Sequence, residues 1–268
     1  MKGKKIKESF IYNWKKNKKL AKLIDVFDGQ AEIQFVGGCV RDSILGHTVK
    51  DFDFAIKCKP ESTIQILSKN NIGYELYGLN FGTVTANIDG AKFEITSLRK
   101  DTKSNGRFPV IEYTDSWYED SLRRDFTMNS IYVSTKGDIT DNFDGMRDII
   151  ESRISFIGNV SERIEEDYLR IVRFYSFMGI FKNPKCYKED LYTIDRNINY
   201  LRTNVSRKKI LSEIKKMMHR PFPHNCYFLL EQDSGLRKNN LLKNIQKWWI
   251  EDRYSEGLEI LNKQMVVT

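Results

Sequence analysis

Cysteine, histidine and proline are scarce in this chain: four, three and five copies among 268 residues. Cys39, Cys58, Cys186 and Cys226 lie far apart and form no C-x-x-C pair, and His47, His219 and His224 complete no zinc-binding spacing. These absences argue against a disulfide-stapled secreted scaffold and against a zinc finger. The thiols read as reduced, and the expected location is cytoplasmic. No run of 18 apolar residues occurs, so neither a transmembrane helix nor a membrane partner is expected. The basic N-terminus lacks the apolar core of a secretory signal; a Lys-rich amphipathic targeting helix, a type normally richer in Arg and Ser, stays open. With 40% hydrophobic and 30% charged residues the chain is not largely disordered. Its length is enough to bury a core without staples.

Charge is plentiful and segregated. The formal net charge is +8, from 44 Lys+Arg and 36 Asp+Glu. Residues 1–22 carry nine Lys against Glu8, net +8, residues 23–200 are net −6, and residues 201–268 are net +6. Basic ends suit a polyanion and an acidic middle suits metal chemistry, although Lys-rich stretches also serve as solvated helix faces.

Hydrophobic periodicity predicts a basic helix over 4–27, a strand over Glu32–Val36, a short helix over Val40–Leu45, a strand over Asp51–Lys57 and a helix over Pro60–Asn70. Gly82–Ile88 and Ala91–Leu98 flank Asp89-Gly90, a strong hairpin signal. Arg99–Pro109 reads as a loop, and a second hairpin is expected from Ser130–Ser134 and Ile139–Asn142. Helical period then dominates over 161–178, 188–200, 206–219, 223–231 and 237–250. The expected class is α+β: a basic helix over 1–28, a mixed head over 29–152, a helical segment over 153–220 and a short helical end over 221–268.

Two constellations carry chemistry. Gly37-Gly38, followed by Arg41, sits between a strand and a helix, where glycine lets backbone approach an anion and helix N–H groups face phosphate. Alone, this also fits ordinary turn chemistry. Asp51-Phe52-Asp53 on a strand puts two carboxylates on one face and Phe52 and Phe54 on the other. Two such close charges call for a cation, and Mg²⁺ held by a few carboxylates plus substrate phosphates fits; an edge strand with two solvated acids fits equally. Glu94 either adds a third acid or is a surface acid on a hairpin. Taken together, strand, Gly-Gly, short helix and D-x-D on the next strand resemble the arrangement found in nucleotidyltransferases.

The run Phe35-Val36-Gly37-Gly38-Cys39-Val40-Arg41-Asp42 through Asp51-Phe52-Asp53-Phe54 resembles the head motif of the class II CCA tRNA nucleotidyltransferase and bacterial poly(A) polymerase family. Arg123-Arg124-Asp125-Phe126-Thr127-Met128-Asn129, then Asp141 through Gly145 to Asp148, then Glu166-Asp167 with Arg170 and Arg173, resemble its next motifs in order. Ser206 to Glu213 is a weakened copy of the last, with Lys208-Lys209 where the motif usually has Glu-Arg.

The resemblance implies a polymerase-beta-like head with a mixed sheet, an all-helical neck and a truncated helical body. It implies Asp51 and Asp53 as metal ligands in a two-Mg²⁺ mechanism, with Glu94 beside them as a catalytic acid. Gly37, Gly38 and Arg41 are implied at the triphosphate, and Arg124, Asp125, Asn129 and Arg173 at the nucleotide. Asp167 and Arg170, expected three apart on one helix, are implied to read the base. The implied activity is addition of C and A to tRNA 3′ ends from CTP and ATP. Poly(A), CC-only or A-only addition, or an inactive RNA-binding relative, are the alternatives. Ser176 stands where the family usually has another Arg. Only residues 221–268 remain for the RNA-gripping body, so either the basic ends grip RNA or a second polypeptide or an oligomer completes it.

Overall fold

The computed structural model describes Trp14, residues 16–102 and residues 110–226. The helices expected beyond Cys226, residues 4–13 of the expected basic helix and residues 103–109 of the expected loop lie outside the described residues, and the helix expected to run unbroken over 4–27 is interrupted at Asn17, which is extended and caps a helix that begins only at Lys18. The chain divides into two units, residues 1–149 and 150–268.

In the first unit, α1 (Lys18–Phe27) is capped by the Asn17 side chain, which accepts from the Leu20 amide at 3.2 Å. Leu20, Leu23, Ile24 and Phe27, at helical spacing, are buried. The strands β1 (Ile33–Val36), β2 (Asp53–Ile56), β3 (Gly73–Glu75), β4 (Thr83–Ile88), β5 (Ala91–Ser97), β8 (Ile131–Ser134) and β9 (Ile139–Asp141) form one sheet in the order β3-β4-β5-β2-β1-β8-β9. The β2–β5 pair is parallel and the other pairs are antiparallel, so the sheet is mixed. The hairpin at Asp89-Gly90 forms as its sequence demands, with φ of 51° and 80°.

Helices α2 (Gly38–Ile44), α3 (Pro60–Lys69) and α4 (Trp117–Leu122) complete the unit. Helix α3 starts on Pro60, whose missing N–H costs nothing at that position. Two expectations change here. The strand expected over Asp51–Lys57 begins only at Asp53, so Asp51 lies before the ladder. The expected loop after Leu98 instead starts as β6 (Arg99–Thr102), paired antiparallel with β7 (Val110–Tyr113). That ribbon is anchored where the Arg99 amide donates to the buried Asp120 carboxylate at 3.2 Å.

The helix α5 (Gly145–Glu151) carries the boundary between the units. The second unit is helical: α6 (Val160–Glu166), α7 (Leu169–Met178), α8 (Lys188–Asn197), α9 (Leu201–Asn204) and α10 (Arg207–Met218). Phe156 stacks on Phe174 with centroids 5.5 Å apart, and α7 packs against α10. The single helix expected over 161–178 is broken at Asp167, which is extended at φ −154° and ψ 100°. Its carboxylate accepts from the Leu169 amide at 3.0 Å, starting α7 as a cap, and Asp gains more at such a position than inside a helix.

Candidate active site

The acids meet because of sheet register. Asp53 on β2 lies directly opposite Glu94 on β5, Glu94 opposite Thr85 on β4, and Thr85 opposite Glu75 on β3. Four polar residues therefore form a row across one face of the sheet. Asp51, exposed just before β2, joins them along a cavity of about 670 Å³, with Thr83, Thr85, Lys92, Tyr77 and Phe81 also on its walls. Phe54 points into the core as expected, while Phe52 stays half-buried with its edge toward Phe35, 6.0 Å between centroids.

This clustering changes the chemistry of Asp53. Burial pushes its pKa up to about 6, and the neighbouring Glu94 and Asp51 charges add to the rise, against the pull of Arg124. A carboxylate held so among carboxylates is stabilised by a cation. Among the described residues no three acids, histidines or cysteines converge closely enough to cage a metal alone. The donor set still fits Mg²⁺, a hard ion that takes one or two carboxylates and fills its remaining positions with water and substrate phosphates. Asp51 and Asp53 would hold it, with Glu94 alongside.

The Gly37-Gly38 turn lies on the other side of β2. Gly37 has φ +77° and ψ −134°, a backbone that a side chain would strain, and it opens α2. Gly38 faces the Arg41 guanidinium, 3.6 Å from where a Cβ would sit. Cys39 is structural: its thiol donates to the Val36 carbonyl at 3.2 Å, and burial pushes its pKa to about 12.

Arg41 is 5% exposed and clamps Asp42 with Nε at 2.8 Å and Nη2 at 3.0 Å, while Nη1 donates to Asn129 Oδ1 at 2.8 Å. Asn129 Nδ2 in turn donates to Asp125 Oδ1 at 3.1 Å. Arg41, Asp125 and Asn129 thus form one network that ties α2 to the Arg123–Asn129 segment. Arg124 is likewise braced: Nη2 reaches Asp120 Oδ2 at 3.0 Å, and Nε the Tyr132 hydroxyl at 3.0 Å. Burial opposes its charge, but Tyr132 and Asp120 more than restore it, so its pKa rises.

The segment from Asp141 to Asp148 has an equally direct reading. Asp141 accepts from the Gly145 amide at 2.9 Å and the Met146 amide at 2.8 Å, capping α5. Asp148 accepts from Thr127 Oγ1 at 2.7 Å, and any Cβ at Gly145 would collide with the Thr127 carbonyl. The motif is a lock between α5 and the Thr127 turn.

In the second unit, Asp167 is exposed and Arg170 reaches back to Glu166 Oε2 and the Arg163 carbonyl, each at 3.0 Å. The two are therefore cap and first-turn residue rather than i and i+3 within one helix. Arg173 lies 3.9 Å from Glu213 and over the Phe177 ring at 5.3 Å. Ser206 caps α10 through the Lys209 amide at 3.4 Å, and buried Glu213 also pairs with Lys216 at 2.5 Å. Ser176 is fully buried and accepts from Arg220 Nη2 at 3.3 Å, so a guanidinium from the chain after α10 meets the position where an Arg was expected.

Asp120, Tyr132, Thr85, Tyr77 and Phe81 enter the site only through the structure. Thr83-Val84-Thr85 alternates like a strand with one polar face, and Asp120 stands four before Arg124; either spacing is a usable signal. Tyr77 and Phe81 had no such pattern.

Residues 33–155 match the poly A polymerase head domain. The mitochondrial CCA tRNA nucleotidyltransferase 1 of Danio rerio is 36% identical over 205 residues, 74% of this chain and 47% of that protein. The CCA-adding enzyme of Bacillus cereus strain G9842 is 31% identical over 207 residues, 75% of this chain and 50% of that one. The crystal structure of the Bacillus stearothermophilus CCA-adding enzyme in complex with CTP superposes with a TM-score of 0.70 at 28% identity, covering 79% of this chain and 51% of that one. This chain spans about half the length of the curated relatives it matches. Ordered motifs, a mixed sheet with its acids in register and these likenesses agree: residues 33–155 are a poly A polymerase head domain, in a chain similar over about three quarters of its length to CCA tRNA nucleotidyltransferases.

Proposed function

We propose that this protein is a template-independent nucleotidyltransferase that adds C and A to tRNA 3′ ends from CTP and ATP. The observation that carries this reading is the register of Asp53 with Glu94, with Asp51 on the same cavity wall. The RNA 3′-oxygen forms a bond to the α-phosphorus of the incoming nucleotide. The bond to the bridging oxygen breaks and pyrophosphate leaves, while the hydroxyl proton passes to the carboxylate cluster and on to water. Two bound Mg²⁺ ions would supply charge neutralisation at the entering and leaving oxygens. The Gly37-Gly38 turn offers backbone to the phosphates. Arg41 and Arg124 are held rigidly by their partners, which lowers the cost of presenting fixed charge to an anion.

The roles proposed for Asp167 and Arg170 rest on hydrogen-bond chemistry. Asp accepts from an exocyclic amine and Arg donates to the adjacent ring nitrogen, a pairing that C and A satisfy. G and U offer a carbonyl in place of the amine and leave polar groups unpaired, worth roughly 10⁴-fold in discrimination. The relatives named CCA-adding enzymes support C and A addition over poly(A) synthesis.

The test supplies purified protein with Mg²⁺ and three RNAs: tRNA lacking CCA, tRNA ending in CC, and oligo(A). CTP and ATP are offered separately and together. Completion of CCA is expected. Long tracts on oligo(A) would make it a poly(A) polymerase, incorporation of one nucleotide only would make it a CC- or A-adding enzyme, and no Mg²⁺-dependent incorporation would leave an RNA-binding relative without turnover.

A further inference from the structure

The segment joining β3 and β4 exposes an unusual amount of apolar surface. Tyr74, Leu76, Tyr77, Leu79 and Phe81 are all exposed within eight residues, Tyr77 at 91% and Phe81 at 50%. The segment is built to hold its shape. Leu79–Phe81 forms a 3-10 turn, the Phe81 amide donates to the Gly78 carbonyl at 2.8 Å, and the Thr83 amide to the same oxygen at 3.0 Å. A side chain at Gly78 would press within 2.9 Å of Thr83. From beneath, Arg99 Nη1 donates to the Phe81 carbonyl at 2.5 Å. A large exposed apolar patch on an ordered turn marks a binding surface.

Its position says what binds. Tyr77 and Phe81 share their cavity with Asp51, Asp53 and Glu94. The sheet order places the turn on the β3–β4 side of these acids and the Gly37-Gly38 turn on the β1 side, so the acids lie between them. In phosphoryl transfer the entering and leaving oxygens lie roughly in line on opposite sides of the phosphorus. With the leaving pyrophosphate toward the glycine turn, the attacking hydroxyl comes from the β4 side. We infer that Tyr77 and Phe81 form the platform on which the terminal base of the RNA primer stacks, setting its 3′-hydroxyl against the acids. This rests on the nucleotidyltransferase reading. An aromatic platform accepts any base, which suits a primer end whose identity changes with each addition.

The test uses the full chain and an RNA ending in 2-aminopurine, whose fluorescence falls when it stacks. Binding is measured in EDTA, where no transfer occurs, and an RNA with internal 2-aminopurine serves as control. Wild type is expected to quench the terminal probe selectively. Tyr77→Ala and Phe81→Ala are each expected to weaken binding about tenfold to a hundredfold and lose the quench, while Tyr77→Trp keeps both. In steady-state assays the KM for RNA rises in the alanine variants while the KM for CTP stays the same. Unchanged quench and RNA KM in both alanine variants would overturn the inference, as would a rise confined to the KM for CTP, which would assign the rings to the incoming base. Wild type that quenches the terminal probe but never incorporates nucleotide would sink the proposed function and leave the platform standing.

Discussion

Asp53 and Asp120 belong to the same unit, both are withdrawn from water, and their carboxyls move in opposite directions. Burial raises Asp53, and Glu94 and Asp51 push the same way, to about 6. Burial also works to raise Asp120, which is 0% exposed, yet Arg124 and Arg123 and the Tyr132 hydroxyl overturn it and hold it at about 2. Arg123 Nη2 and Arg124 Nη2 reach its two oxygens at 2.8 and 3.0 Å, and the Tyr132 hydroxyl donates at 2.6 Å. One acid is surrounded by like charge and open to a cavity; the other is saturated and closed. The first has the surroundings of the proposed cation site and the second is a fastening. Arg124 joins them, because it neutralises Asp120 directly and pulls on Asp53 from farther away.

The sharpest way to break this contrast is Asp53→Asn. Transfer is expected to fall at least about 10³-fold, the several kcal/mol that charge neutralisation at the phosphoryl group supplies. Thermal unfolding should show a Tm unchanged or slightly raised, since repulsion with Glu94 is relieved. A large drop in Tm would show Asp53 to be a fastening as well.

Asp120→Ala should do the reverse in kind. Leaving Arg124 buried without its partner costs about 3–5 kcal/mol, read as a lower urea midpoint. Its acid dependence has a defined sign. The folded pKa is depressed from 3.8 to about 2, so the stabilisation is complete above pH 3.8 and disappears as pH falls through 2. The stability gap between wild type and Asp120→Asn is expected to narrow by about 2 kcal/mol between pH 4.5 and 1.5. A constant gap would mean that the carboxylate charge contributes nothing there.

Smaller effects test the lock beside the site. Thr127→Val leaves Asp148 without its hydroxyl donor and should cost about 1–3 kcal/mol in denaturant melts. Ser176→Ala removes the bonds from Arg220 and should cost about 1 kcal/mol or less, with transfer little changed. A larger loss of transfer would give the Ser176–Arg220 contact a part in nucleotide handling.

Much of the head was legible because its rules are local. Asp89-Gly90 demands a two-residue hairpin, and the β-rich runs on either side of it give β4 and β5. Glu94 could be named but not placed, since nothing local says that β5 pairs parallel with β2 in the register that sets it opposite Asp53. The partners of Arg41 and Arg124 were hidden for the same reason: Asn129 is 88 residues from Arg41 and Tyr132 was read only as part of a strand. Asp167 misled because helical period runs through it, while its side chain gains more by capping Leu169 than by continuing the helix.

By itself the sequence determined the motif order, the segregated charge, most of the strand and helix content and the candidate acids Asp51, Asp53 and Glu94, because these follow from residue type and short-range spacing. Tertiary structure decided which charges are compensated. Only sheet register and long-range pairing bring Glu94 to Asp53 and leave them repelling, and only they bring two arginines and a tyrosine to Asp120 and silence it. A carboxyl group's chemistry depends on the neighbours within a few ångströms, and those neighbours are remote in the chain.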